Sequence, residues 1–410
     1  MTLSAHRAAG APSEEAGSHY DIVIVGGGIN GAGAAQAASA AGYSVLLVEK
    51  TAIAHGASSR SSKLIHGGLR YLESGHFGLV REGLEQRSTL LRLAPDLVRL
   101  RPFHIPVYPD TRRRPMLLRV GLSIYALLGN LRPAARFRTL PKREWPALDG
   151  LRTEGLQEVF RYFDAQTDDA ELTAAVIRSA MSLGAELAVP ARFVAARLSD
   201  DGCRIDLETP LGAQTVHATV MINAAGAWVG DVLGGITPAV PPRAVVLVQG
   251  SHLVLRGELH KGIYYLESPR DGRAVFAMPW RPGELLIGTT ETQFRGDPDE
   301  ARPLAAEIAY LTSVLRHYFP RFAAPGQPEL LDSFAGLRVL PKGEGHLFHR
   351  SRETLLDVDR DERPRVLTIN GGKLTTFRAT AGAVLERIRP SLPARRRRAR
   401  TDRLKLGPAS

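Results

Sequence analysis

Residues 20–50 read YDIVIVGGGINGAGAAQAASAAGYSVLLVEK. Asp21 to Val25 form a short, largely apolar run ending in glycines, the pattern of a buried parallel strand. An alanine-rich, helix-prone run follows from Ala32. Gly42 ends it, and Ser44 to Val48 form a second strand closed by Glu49. Gly26, Gly28 and Gly31 make G-x-G-x-x-G. Gly26 permits the tight turn, Gly28 lets the backbone approach a pyrophosphate, and Gly31 lets helix and strand pack closely. The helix start, with Ile29 and Asn30, presents unpaired N–H groups and a positive dipole end to phosphates. Glu49, followed by Lys50, stands where an acid accepts both hydroxyls of a ribose, which argues against a ligand carrying a 2′-phosphate. The unit predicts a dinucleotide site and does not by itself separate NAD from FAD.

The rest of the composition sets bounds. A chain of 410 residues, 44% of them apolar, has ample material for a core and a prior of two or three domains. The single cysteine, Cys203, excludes an internal disulfide and a cysteine-rich metal site, and fits a reducing compartment. No H-E-x-x-H and no His/Cys cluster occurs at ligand spacing, so no metal is expected. The net charge of +11 favours anionic partners: phosphorylated substrates, anionic lipid or nucleic acid. Residues 1–19 lack the apolar core of a signal peptide and are expected to be disordered. No run of about 18 apolar residues is present, so no spanning helix is expected.

Beyond Glu49 the chain is first dense in glycine and serine, which suits a loop passing close to a ligand. Leu79, Leu84, Leu90 and Leu91 then mark a helix ending near Pro95. Residues 112–138 hold an apolar centre flanked by Arg114 and Arg132. They read either as a core-packing helix pair with solvated basic ends or as an interfacial helix on anionic lipid. Asp168 and Asp169, at a helix start, read as capping residues and not as a catalytic pair. From Arg243 to Thr289 strand-like runs are broken by Gly, Pro and Asp, the texture of an antiparallel sheet. Residues 303–319 form an amphipathic helix. The arginine-rich end, 391–410, is expected to be a disordered basic tail.

The stretch SSRSSKLIHGGLRYLE, residues 58–73, resembles the signature of the flavin-dependent glycerol-3-phosphate dehydrogenases, within the D-amino-acid-oxidase-like flavoproteins. INAAGAW at 222–228, QGSHLVL at 249–255, LIGTTE at 286–291, SFAGLRVLP at 333–341 and NGGKLTTFR at 370–378 resemble the same family, in the same order. The resemblance spans roughly residues 20–390 and implies FAD as cofactor. It implies oxidation of sn-glycerol 3-phosphate to dihydroxyacetone phosphate, with electrons passed to a quinone or another acceptor. The expected fold is α/β (α+β overall): a Rossmann-like FAD-binding domain with a second antiparallel-sheet substrate domain. Residues 20–95, 151–235 and 330–390 would make the first, discontinuous domain, and residues 96–150 and 236–329 the second. The family also implies a helical C-terminal domain of roughly a hundred residues, for which this sequence has no expected counterpart.

The resemblance also implies site residues. Catalytic candidates are Arg70, Tyr71, His252, Thr289, Arg338 and Lys373. His252 is the leading candidate for the base, because imidazole titrates near neutral pH. Arg338 suits a bidentate clamp on phosphate or a partner for a developing alkoxide, being too weak an acid to serve as a base. Arg70 with Tyr71 would hold the phosphate or the hydroxyls. Lys373, opening a helix after two glycines, would face the edge of a reduced flavin where negative charge accumulates. Cofactor-binding candidates, besides Gly26, Gly28, Ile29, Asn30, Gly31, Glu49 and Lys50, are Ser58, Ser59, Ser61, Ser62, Lys63, His66, Gly67 and Gly68 in the loop. Ala225, Gly226, Trp228, Gly336, Arg338, Gly372, Lys373, Leu374 and Thr375 complete the set.

Two other readings stay open. One is a related flavin enzyme acting on another anionic hydroxy acid, polyol phosphate or amine. The other is a noncatalytic basic protein that binds nucleic acid or membrane through residues 112–138 and 395–405; no aromatic-interleaved basic motif supports nucleic-acid readout. The expected location is cytoplasmic, with weak peripheral contact to the inner face of an anionic membrane as an option.

Overall fold

The structure, a computed structural model, describes residues 18–342 and 354–408. The opening elements are β1 (His19–Val25), α1 (Ile29–Ala41), β2 (Val45–Val48), α2 (Phe77–Leu93), β3 (Val98–Val107) and α3 (Pro115–Leu128). Then come β4 (Glu158–Thr167), α4 (Asp169–Ser182), β5 (Gly212–Asn223), α5 (Val229–Gly234), β6 (Val245–Arg256) and β7 (Ile263–Glu267). The last are β8 (Ala274–Pro279), β9 (Glu284–Gly288), α6 (Ala305–Tyr318), β10 (Leu330–Pro341), β11 (Val366–Asn370) and α7 (Phe377–Ile388).

The first sheet is built on a parallel centre. β1 pairs with β2 on one side, Val25 against Val48, and with β5 on the other, Val25 against Asn223. β5 in turn pairs with β11, Asn223 against Thr368. All four strands run the same way, so their carboxyl ends open on one edge, where ligands of open α/β sheets bind. α1, α4 and α7 cover one face, where Ala34, Val176, Phe377 and Val384 cluster with Ile22 and Ile24 of β1, and Val23, Ile205 and Met221 pack on the other. Strands buried on both faces explain the unbroken apolar runs.

The second sheet is mainly antiparallel. β6 lies between β10 and β9, with His252 opposite Phe334 on one side and Gly288 on the other. β8 and β7 continue the sheet to β3 and β4. Successive residues of β6 alternate between its faces: Leu253 and Leu255 pack with α6, and Val254 with α2 and α3.

Several expectations need correction. The expected boundaries put β4 and β10 in the FAD-binding domain, within 151–235 and 330–390, yet both pair in the second sheet. Their apolar patterns carry no mark of the sheet they join, because pairing is decided by long-range register. Residues 112–138 hold one α-helix, not a pair. Residues 391–408 are not a disordered tail: Arg395 pairs with Asp21, the Arg398 amide donates to the Ala40 carbonyl, and Leu406 is buried beside Leu93. The arginines find acids and helix carbonyls on the first domain, so the segment straps across it. Of 1–19, residues 1–17 lie outside the described residues, and β1 already begins at His19.

Candidate active site

A continuous cavity of about 630 Å³ runs from the carboxyl edge of the first sheet to the face of the second. Its walls at the first end follow from the opening motif. Gly26 has φ +115°, a left-handed region, and a Cβ there would lie 2.5 Å from the Ala224 carbonyl. Gly31 is pressed against the Gly26 carbonyl with no room for a Cβ, so it serves packing and does not line the cavity. The Glu49 carboxylate accepts the amides of Gly27 at 2.8 Å and Thr51 at 2.9 Å, which fix both oxygens at the cavity wall. Ser58 Oγ accepts the Ile29 amide at 2.9 Å, and Asn30 Nδ2 donates to the Gly371 carbonyl at 2.9 Å. The first turn of α1 is thereby tied to the glycine loop before α7. Lys50 pairs with Asp299 at 2.8 Å and lies over the Trp228 ring, so the second domain clasps this end.

The opposite end gathers side chains from both domains. Arg70, Tyr71, His252, Thr289, Arg338 and Lys373, distant in sequence, all line it. Lys373 Nζ sits 4.3 Å from the centre of the Tyr71 ring. Arg338 Nη2 donates to Thr289 Oγ1 at 3.1 Å, and its Nη1 pairs with Glu291 at 2.8 Å. The Arg70 guanidinium is 3.8 Å from the same carboxylate. Gly250 stands opposite Gly336, and a Cβ on Gly250 would lie 2.6 Å from the Arg338 guanidinium. The glycine makes the space in which the arginine lies across β6. Burial lowers the proton affinity of Arg338, with Glu291 opposing and Arg70 adding to the effect.

His252 is buried in the wall of the cavity. Its ring stacks on Phe334 at 5.0 Å, and Gly288 opposite leaves no room for a Cβ beside it. Nε2 shares a 2.9 Å hydrogen bond with Ser62 Oγ, while among the described residues the buried Nδ1 has no hydrogen-bond partner. Burial, then the Arg338 and Lys63 charges, push its pKa down to about 3. The expectation of titration near neutrality is thus corrected: the imidazole is neutral across the ordinary pH range.

Most cofactor-binding candidates meet at the cavity: Gly26, Gly28, Ile29, Asn30, Glu49, Lys50, Ser58, Ser61, Ser62, His66, Gly67 and Gly68, with Ala225, Gly226, Trp228, Gly336, Gly372, Leu374 and Thr375. Gly31, Ser59 and Lys63 are not among the lining residues. Lys63 turns into the protein, where it pairs with Asp169 and donates to the Ser59 carbonyl. Asp169 is a buried counter-ion that also accepts the first-turn amide of Ala170, and Asp168 caps α4 by accepting the amides of Ala170 and Glu171. Sequence reasoning missed Arg273, Tyr265 and Glu291, which also line the cavity. Glu291 closes the run LIGTTE, and an acid at the end of an apolar strand was the available signal.

The fit to a dinucleotide with a flat ring system is direct: a glycine cradle at a helix start, a fixed acid at one end, and one long cavity leading to a cluster of cations. A family description for FAD dependent oxidoreductases matches residues 21–384. The chain belongs to that family. This FAD-dependent oxidoreductase is 36% identical to a glycerol-3-phosphate dehydrogenase of Pseudomonas aeruginosa, over 92% of this chain and 73% of the relative. It is also 36% identical to a D-erythritol 1-phosphate dehydrogenase of Brucella abortus, over 91% of this chain and 74% of the relative. The FAD-complexed glycerol-3-phosphate dehydrogenase of Bacillus halodurans superposes with a TM-score of 0.72 at 25% identity, covering 96% of this chain and 68% of that one. The enzyme's cofactor is FAD, and its Rossmann-like domain carries the site's first end.

Proposed function

We propose that this flavoenzyme oxidises sn-glycerol 3-phosphate at its secondary hydroxyl, giving dihydroxyacetone phosphate. The supporting observation is the meeting of Arg70, Arg338 and Lys373 with a neutral His252 at one end of the cavity. The residues that would hold FAD are the Gly26–Gly31 turn, Glu49, the 58–68 loop and residues 372–375. Bound FAD supplies the two-electron acceptor. Arg70 and Arg338 hold the phosphate through their planar donor sets. His252 takes the proton from the hydroxyl oxygen as hydride leaves the carbon that bears it. Its basicity is low because burial disfavours the charged ring and because the Arg338 and Lys63 charges add to that effect. A phosphate dianion among those cations offsets them and raises the proton affinity when substrate is bound. Ser62 orients the ring through the Nε2 contact. Lys373, seated on Tyr71, supplies fixed positive charge against negative charge that develops in the reaction.

The D-erythritol 1-phosphate dehydrogenase relative, at the same identity as the glycerol-3-phosphate dehydrogenase, favours a longer polyol phosphate as the second reading. Among the described residues no helix is long and apolar enough to cross a membrane. α3 nevertheless turns Met116, Leu117, Val120 and Leu127 outward, between 50% and 70% exposed. With Arg114 and Arg132 at its ends, this face supports peripheral seating on an anionic bilayer, where a quinone acceptor would be available. Not every arginine nearby is free for lipid, since Arg113 is bound to Glu73 and Glu267.

The test is turnover of the FAD-loaded protein with an artificial acceptor and a panel of sn-glycerol 3-phosphate, D-erythritol 1-phosphate, glycerol, lactate and glycine. Turnover confined to the phosphates is expected. Turnover with lactate or glycine, and none with either phosphate, would contradict the proposal.

A further inference from the structure

Among the described residues, four carboxylates line the cavity: Glu49, Asp164, Asp231 and Glu291. Glu49 is committed to backbone amides at the nucleotide end. Asp164 is bound by Arg87 and by the Tyr125 hydroxyl. Asp231 belongs to α5, beside the carboxyl edge of the first sheet. Glu291 is the one that stands among the cations of the reacting end, 2.8 Å from Arg338 and 3.8 Å from Arg70. Its side chain is only 8% exposed, so a molecule entering here meets a carboxylate withdrawn from bulk water.

The segment that carries Glu291 is anchored from behind. Thr290 and Thr292 both donate their hydroxyls to Glu307 Oε1, at 2.7 and 2.8 Å, while Thr289 and Glu291 alternate with them and line the cavity. Arg273 Nη1 donates to the Glu291 carbonyl at 3.1 Å. Glu307 also accepts from Gln249, Ser251 and the Leu304 amide, and these hydrogen bonds hold its carboxyl below the usual range although burial acts to raise it. A buried acid with this many donors is a rigid peg. Glu291 is therefore held in place and is not a surface acid that has folded in.

An ionised carboxylate only accepts hydrogen bonds. Beside two guanidinium groups it divides an incoming anion in two. A phosphate or carboxylate group is repelled from Glu291 and directed to the outer donors of the arginines. A hydroxyl is drawn to it. We propose that Glu291 is a specificity-determining residue that accepts a hydrogen bond from the non-reacting hydroxyl of the substrate and so selects polyol phosphates. The inference rests on the polyol-phosphate reading above and adds which side chain reads the polyol end. It also disfavours α-hydroxy acids, whose carboxylate lies one bond from the reacting carbon and would crowd Glu291.

The experiment compares sn-glycerol 3-phosphate with propane-1,2-diol 1-phosphate, which keeps the phosphate and secondary hydroxyl but lacks the terminal one. In the wild-type holoenzyme the ratio of kcat/KM values should favour glycerol 3-phosphate by about tenfold to a hundredfold, as for a hydrogen bond to a charged acceptor. In Glu291→Ala that ratio should fall toward one. Sulfate binding, read from its perturbation of the flavin spectrum, should be retained or tightened, because a repelling charge has gone. Glu291→Gln, which preserves shape, should fall between the two. A ratio unchanged in Glu291→Ala overturns the proposal. So does loss of sulfate binding in both variants, which would make Glu291 only a strut for the arginines. A wild-type enzyme that oxidises neither phosphate sinks the earlier reading instead, and is told apart by that control.

Discussion

His252 illustrates what a single residue's surroundings add to its chemistry. In sequence it is a histidine within an apolar strand. In the fold it is sealed between Phe334 and Gly288, with Arg338 and Lys63 nearby. Its pKa falls to about 3, and that of His104, buried beside Arg161, to about 4, from 6.5 for a free imidazole. The sign of the stability effect follows. Both folded values are depressed, so the unfolded chain binds more protons at mildly acid pH. Their contribution is fully present above pH 6.5 and is lost as pH falls toward 4 and then 3. The thermal midpoint of the wild type should therefore drop between pH 7 and 4 more steeply than that of His252→Gln; parallel curves would refute the burial account. The glycine motif and Glu49 were legible because their tasks are local: a turn, a close approach, an acid at a strand end. The proton affinity of His252 was not, because Lys63 and Arg338 are brought to it only by the fold.

At the scale of elements, α3 and the glycine loop are joined through one hydroxyl. Tyr125 donates to Asp164 at 2.7 Å and accepts the Gly67 amide at 3.0 Å, and Asp164 is paired with Arg87. Tyr125→Phe strands a buried amide and weakens the hold on a buried carboxylate. It should cost about 1–3 kcal/mol of stability, measured by denaturant unfolding, and should loosen the loop that carries Arg70 and Tyr71. A variant as stable as wild type would show that the linkage has no energetic weight. Helices were the elements most readable in advance: α2, α4 and α6 follow from apolar spacing and, for α4, from the Asp168 cap. Sheet membership was not. β4 and β10 have the same buried look whichever sheet they join, and nothing local says that Val248 will face Arg338. The basic end misled for a related reason: composition shows its charge but not Asp21 waiting for Arg395.

Across the whole molecule, the cavity exists because two sheets meet. The first contributes the nucleotide cradle and Lys373, the second His252, Thr289 and Arg338, and Lys50 with Asp299 fastens the two at the far end. The net charge of +11 acts on the same scale, favouring the approach of an anionic substrate. Docking through α3 predicts that the protein floats with vesicles containing anionic lipid, and that Leu117→Glu with Val120→Glu abolishes flotation without affecting FAD content. Equal flotation of the variant would remove α3 from the account. The central claim, that a phosphorylated secondary alcohol gives up hydride and proton in this cavity, is tested most directly by anaerobic mixing of the FAD-loaded protein with sn-glycerol 3-phosphate while the visible flavin band is followed. The account predicts that the band bleaches, and that His252→Ala slows the bleaching by about a hundredfold or more, as for loss of a general base. Flavin that stays yellow with sn-glycerol 3-phosphate and D-erythritol 1-phosphate, yet bleaches on adding dithionite, would contradict it.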